Sequence, residues 1–311
     1  MFRGVVMKVG FIFAGQGSQY VGMGKEIYEH YEEARKIYDD IKLDFDVKEL
    51  CFNGPLEKLK DTEYAQCSIL ATSMAIVEVI KSHGIVPEYV AGLSLGEYSA
   101  LCYAGAFSVE TALSITRERG RIMANALPKG TTSMAAVLGM DECIIEEVCN
   151  DVSKEYGVCE VANYNCPGQL VITGENKAIE KAQELLLEKG ARRVMITNDG
   201  AFHSSLLEDA SIKLEEVLKT KDINKPNMKV LYNVSGNEEC DDLIENLTKQ
   251  IKSSVYFKQE VEYMIDNGVD TFIEIGPGSI LKGLVKRINS DVKVYSVDSV
   301  ESIKNMLEEI K

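Results

Sequence analysis

Along the first half of the chain, short apolar runs alternate with longer stretches in which apolar residues recur every three or four positions. Residues 9–14 (VGFIFA) have the composition of a buried strand and open into a glycine-rich loop. Over 23–41, Ile27, Tyr31, Ala34, Ile37 and Ile41 fall at helical spacing with charges between them, which predicts a helix. A stronger helix is predicted over 65–82, with Ile69, Ser73, Ile76, Val77 and Ile80 on one face and Gly84 as its stop. A short strand at 89–92 runs straight into Ser94, 95–103 reads as helix, and Ser108 has the makings of an N-cap for a helix through Ala126. Strand and helix in alternation imply an α/β fold with a largely parallel sheet.

The rhythm changes after Pro128-Lys129-Gly130. Strands are predicted at 131–138, 158–164, 169–173 and 192–197, and helices at 141–154 and 176–189. That β-α-β-β-α-β order is the ferredoxin-like unit, read here as a subdomain (128–200) inserted into a larger catalytic domain (1–127 and 201–311). The remainder returns to α/β: a strand at 229–234, helices at 243–251 and 261–267, and a strand at 271–275 before Gly276-Pro277-Gly278.

Composition narrows the function class. With 45% hydrophobic and 27% charged residues in 311, the chain is globular. Its net charge of −15, with no stripe of Lys or Arg, argues against nucleic acid as a partner. No apolar run reaches the roughly 18–20 residues of a membrane span, and residues 1–6 show no signal-peptide pattern. The eight cysteines never form C-x-x-C and sit among apolar neighbours, so they read as reduced thiols of a cytoplasmic enzyme.

The sharpest chemical signal is Gly92-Leu93-Ser94-Leu95-Gly96, a G-x-S-x-G between a predicted strand and a predicted helix. Such a turn thrusts the serine out at a helix N-terminus, where the N–H of Leu95 could take an oxyanion. A serine needs a base. Of three histidines, His30 lies on a charged helix face and His83 at a helix end, which leaves His203 in Gly200-Ala201-Phe202-His203-Ser204. The group orienting His203 is open: Asp199 is near in sequence, and a backbone carbonyl would also fix the tautomer. The loop Gly15-Gln16-Gly17-Ser18-Gln19 is neither a dinucleotide fingerprint nor a P-loop, yet it could supply a second oxyanion N–H. Arg119 sits among charged helix residues. Pointing inward, its guanidinium would grip a substrate carboxylate through paired N–H bonds; pointing outward, it is ordinary surface charge.

Taken in order, these segments resemble the malonyl-CoA:acyl carrier protein transacylase family along almost the whole chain. Gly15–Gln19 resembles its opening loop, GLSLGEY (92–98) its nucleophile elbow, Arg119-Gly120 its carboxylate-binding arginine and GAFHS (200–204) its histidine segment. Asn165-Cys166-Pro167-Gly168-Gln169, Gln250, EIGPG (274–278) and Lys286-Arg287 continue the match.

The resemblance implies an α/β-hydrolase-like core with a ferredoxin-like insert, Ser94 and His203 as catalytic pair, and Gln16 and Leu95 at the oxyanion. It also implies Arg119 and Asn165 as substrate contacts, and Gln250 as the residue whose main chain orients His203. It implies malonyl-CoA and acyl carrier protein as partners, transfer into fatty acid biosynthesis, and no cofactor. Lys189, Arg192, Arg193, Lys282, Lys286 and Arg287 are candidates for a basic patch facing the carrier.

Three departures stand out: Leu93 where the family has histidine, Ser254 where proline is common, and Phe257 for a common tryptophan. Acyltransferases acting in trans on polyketide assembly lines, and acyl-thioester hydrolases, share the scaffold and are the alternative readings.

Overall fold

The structure is a computed structural model that describes residues 7–197 and 200–310. Asp199 lies outside them. Two sheets organise the chain. The first combines β1 (Val9–Phe13) and β2 (Tyr89–Gly92) with strands from the last third, and the second is built from β3 (Thr132–Leu138), β4 (Cys159–Cys166), β5 (Gln169–Glu175) and β6 (Arg193–Thr197). The later strands of the first sheet are β7 (Lys229–Val230), β8 (Thr271–Ile275) and β9 (Lys293–Val297), in the order β7-β2-β1-β8-β9, all parallel.

Every residue of β1 and of β8 is buried, as strands covered on both faces by helices require. Their register sets Phe13 beside Gly92 and Ile275, so the chain leaves three neighbouring strands at one edge. The loops leaving that edge carry Gln16, Ser94 and Gly276-Pro277-Gly278, which is where open α/β sheets hold ligands. One close approach makes this possible. A Cβ on Gly96 would stand 2.1 Å from the Phe13 carbonyl oxygen, so only glycine lets the helix after Ser94 sit down on β1.

The second sheet is antiparallel, in the order β4-β5-β3-β6, and its strands and helices follow the β-α-β-β-α-β sequence expected of a ferredoxin-like unit. Alternation along its strands divides the residues between two faces. Ala135, Val137, Leu170, Ile172 and Val194 bury against the helices Glu142–Ser153 and Asn176–Glu188. Met134, Ala136, Val171 and Met195 turn the other way and wall a pocket shared with the parallel-sheet unit.

Some elements differ from expectation. The helix over 23–41 is two, Lys25–His30 and Glu32–Asp39, separated at Tyr31 by an extended residue (φ −114°, ψ 133°). The bend carries Ala34 and Tyr38 onto the core, where the Tyr38 hydroxyl shares a 2.8 Å hydrogen bond with Thr72. The strand over 229–234 stops after Val230, because Tyr232 turns the chain by accepting the N–H groups of Ser235 and Gly236. The helices Val47–Asn53, Leu56–Lys60, Glu208–Leu218, Ile280–Ile288 and Val300–Ile310 and the strand β9 were not anticipated. Among the described residues no helix is long and apolar enough to cross a membrane. All eight cysteines are free.

Candidate active site

Ser94 sits between β2 and the helix Leu95–Tyr103 with φ 53° and ψ −102°, a conformation that costs a non-glycine residue roughly 1–3 kcal/mol. The flanking glycines permit the turn: a Cβ on Gly92 would meet the Gly96 carbonyl carbon at 2.0 Å. Leu95 opens the helix, so its N–H has no carbonyl one turn back to bond and is free for a ligand.

His203 closes on this serine from 109 residues away. The Ser94 hydroxyl lies 2.7 Å from Nε2, and Nδ1 is 2.8 Å from the main-chain oxygen of Gln250. A carbonyl only accepts, so the proton sits on Nδ1, and Nε2 is left as the acceptor facing the serine. Burial first, and the nearby Arg119 second, lower the His203 pKa from 6.5 to about 4, which keeps the imidazole neutral. Among the described residues no carboxylate bonds it; the backbone carbonyl that the sequence left open is in place, on Gln250, while the other alternative, Asp199, lies outside the described residues.

Arg119 points inward. It is 1% exposed on the helix Val109–Ala124, and its Nη1 donates to Gln66 Oε1 at 2.7 Å while Nη2 donates to Gln250 Oε1 at 2.9 Å. Nη2 also lies 3.3 Å from the Ser94 hydroxyl oxygen, and the guanidinium stands 5.1 Å from the Tyr98 ring centre. The Nε–H is buried without a partner among the described residues. A planar cation one hydrogen bond from the nucleophile, with a donor to spare, is suited to a carboxylate carried on the acyl group.

Gln16, Leu93, Ser94, Arg119, Asn165 and His203 line one pocket of about 560 Å³. Its apolar wall is Met123, Met134, Val171, Met195 and Phe202. Gln16 is anchored by a 2.9 Å bond from its Nε2 to Thr62 Oγ1 and accepts from Gln66 at 3.3 Å. Asn165 is 7% exposed, and its Oδ1 has no partner among the described residues. A cavity of similar size, about 570 Å³, lies at the edge of the parallel sheet beside Tyr232, Cys240 and Leu243, away from this chemistry.

Several groups around the serine were not legible beforehand. Gln66 holds Arg119, and a buried cluster of Glu97, Asn233, Asn246 and Glu260 lies beneath the elbow. Burial pushes Glu97 up to about 7. Burial, reinforced by Glu97, pushes Glu260 well above the usual carboxylate range. Their partners stand 27 to 153 positions away along the chain, beyond any local pattern.

The basic candidates are exposed and partly assembled. Arg287 donates to Gln169, and the register Gln169–Leu138–Arg193 runs from there across the second sheet. Lys189 lies just before Arg192, whose N–H bonds Leu138 O at 2.9 Å, and its own ammonium is 3.9 Å from Glu147. Lys286 is spent locally: its ammonium donates to the carbonyls of Ser290 (2.9 Å) and Val292 (2.7 Å).

The chain matches the model of the acyl transferase domain over residues 10–306. It is 43% identical over 309 residues, 98% of each chain, to the malonyl CoA-acyl carrier protein transacylase of Bacillus subtilis (strain 168). The crystal structure of the malonyl CoA-acyl carrier protein transacylase from Clostridium perfringens ATCC 13124 superposes with a TM-score of 0.94 at 44% identity, covering 97% of each chain. A malonyl-transacylase solved in complex with its type II PKS acyl-carrier protein superposes with a TM-score of 0.92 at 32% identity, covering 97% of this chain and 99% of that one.

Proposed function

Because the chain belongs to the acyl transferase domain family, we propose that it moves malonyl groups from malonyl-CoA to the phosphopantetheine thiol of acyl carrier protein, by way of a malonyl ester on Ser94, in fatty acid synthesis. The observation that carries this reading is the contact of one hydroxyl with both an imidazole and a guanidinium. The first makes Ser94 a nucleophile; the second selects an acyl group that ends in a carboxylate.

The reaction runs in two halves. Ser94 Oγ attacks the thioester carbon as its proton passes to His203 Nε2, and the oxyanion rests on the N–H groups of Leu95 and Gln16. Collapse breaks the C–S bond, and His203 returns the proton to the departing CoA thiol. The thiol of the carrier's phosphopantetheine then gives its proton to His203 and attacks the ester. The malonyl group leaves on sulfur, and Ser94 recovers its hydrogen. Atoms balance with these residues and two substrates, so no step calls for a cofactor.

Arg119 holds the malonyl carboxylate through Nε and a terminal nitrogen, and Asn165 Oδ1 accepts from an N–H of the pantetheine arm. Leu93, where the family has histidine, adds an apolar contact beside the acyl group and bears on selectivity rather than on proton transfer. Arg287, Arg193, Arg192 and Lys189 form the local positive field for the carrier that a chain of net charge −15 otherwise lacks, with Lys282 beside them and Lys286 adding charge but few free donors. We place the unit boundaries at 1–127 with 201–311, and 128–200, so that the acyl pocket lies between the two units. The free, mostly buried thiols support a cytoplasmic setting.

A time course separates transfer from hydrolysis. Without carrier protein the enzyme should release one equivalent of CoA and then stall, and adding holo-carrier should restart release. Sustained consumption of malonyl-CoA without an acceptor would make the protein a thioester hydrolase.

A further inference from the structure

The reaction written above never uses Asn233, yet this side chain is tied to each end of the nucleophile turn. It is fully buried, and its carboxamide has every hydrogen-bonding position filled. Oδ1 accepts the N–H of Ser94 at 2.9 Å and Gln250 Nε2 at 3.2 Å. Nδ2 donates to the carbonyl of Gly92 at 2.7 Å and to Glu260 Oε1 at 2.8 Å. Its main-chain N–H donates to Glu97 Oε2 at 3.0 Å, and its carbonyl accepts from the Tyr256 N–H at 2.9 Å.

Gly92 and Ser94 flank Leu93, and at this turn the Gly92 C=O and the Ser94 N–H bond Asn233 in place of a strand or helix partner. Two buried backbone groups would be stranded there, and Asn233 satisfies both at once. The base is registered by the same cluster. Gln250, whose main chain holds His203, has its Nε2 pinned by the Ser94 carbonyl at 2.8 Å and by Glu97 at 3.1 Å as well as by Asn233.

We propose that Asn233 is the positioning residue of the reaction: a buried carboxamide that braces the serine directly and the histidine through Gln250, and so sets the separation across which the proton passes. Only a side chain with two donors and two acceptors can do this. Aspartate would turn an oxygen toward the Gly92 carbonyl and add a third carboxylate beside Glu97 and Glu260; leucine would leave the Ser94 N–H, the Gly92 carbonyl and Glu260 Oε1 unpaired.

The inference rests on the functional reading only for its choice of acyl donor, so the test uses a second, substrate-independent probe. Asn233→Asp and Asn233→Ser are compared with the natural enzyme, per folded molecule, in malonyl transfer to carrier and in labelling of Ser94 by a small serine-reactive phosphonate. Displacing the pair by about 1 Å should lower kcat and the labelling rate together by about 30- to 100-fold, with KM for malonyl-CoA within about threefold. Glu260→Gln keeps an acceptor for Nδ2 and should stay close to the natural rate. A folded Asn233 variant of either kind with natural kcat and natural labelling overturns the proposal, as does one whose loss lies wholly in KM. Should the natural enzyme take the phosphonate but not malonyl-CoA, the functional reading fails while the labelling series still decides the role of Asn233.

Discussion

Removing the Arg119 guanidinium should cost the enzyme its preference for a charged acyl group. The side chain is 1% exposed, so water screens it little, and it offers a malonyl carboxylate the unpartnered Nε–H together with the Nη2 that rests 3.3 Å from Ser94 Oγ. A hydrogen bond to a charged group contributes about 1.5–3 kcal/mol, and each 1.4 kcal/mol is a factor of ten, so one such bond gives a selectivity of about 10- to 150-fold. Arg119→Ala also strands the Oε1 atoms of Gln66 and Gln250, which slows any substrate. The informative quantity is therefore the ratio of kcat/KM for malonyl-CoA to that for acetyl-CoA, in which the shared damage cancels. That ratio should fall by about 10- to 150-fold in Arg119→Ala. It should fall by less in Arg119→Lys, which keeps the charge and loses the planar fork. A ratio within about twofold of the natural one in Arg119→Ala would refute the role given to this residue.

Four further outcomes are expected. Since His203 must be neutral to take the serine proton and its pKa lies near 4, kcat/KM for malonyl-CoA should hold as pH falls and decline only near 4; a limb at 6.5 would mean an unperturbed base. Over the same window, from 6.5 down to about 4, the unfolded chain binds a proton at this site that the native state refuses, so stability from this group should fall with acid, which urea midpoints would show. Arg193→Glu with Arg287→Glu should raise KM for the carrier by about tenfold and leave the rate of Ser94 acylation unchanged; an unaltered KM would remove the patch. Gly96→Ala, which sets a methyl group 2.1 Å from the Phe13 carbonyl, should destabilise by about 3 kcal/mol or more in denaturant unfolding.

What could be read beforehand was whatever local pattern encodes. The all-apolar β1 announced a covered strand, and the change of rhythm after Gly130 announced the separate antiparallel sheet. G-x-S-x-G between strand and helix marked Ser94, and scarcity marked His203. Arg119 could not be decided locally, because Arg117 and Arg121 share its helix. The fold separates them: Arg117 pairs with Asp44 at 2.8 Å and Glu63 at 2.9 Å, while Arg119 turns inward. Local pattern could not pick the partner of His203, because it is a backbone carbonyl, an atom every residue carries; the family resemblance pointed to Gln250, and its main-chain oxygen is the one in place. Asn233 escaped for a related reason. Its partners Gly92 and Ser94 lie 141 and 139 positions away, and nothing around Tyr232-Asn233-Val234 hints at a turn that meets a serine.

The account depends on malonyl passing through Ser94, and mass spectrometry of the enzyme mixed with malonyl-CoA tests that most directly. One malonyl group per chain should appear on the peptide that contains Ser94, be absent from Ser94→Ala, and leave on addition of holo-carrier. An unmodified natural enzyme that still transfers malonyl, or an adduct on another residue, would contradict it.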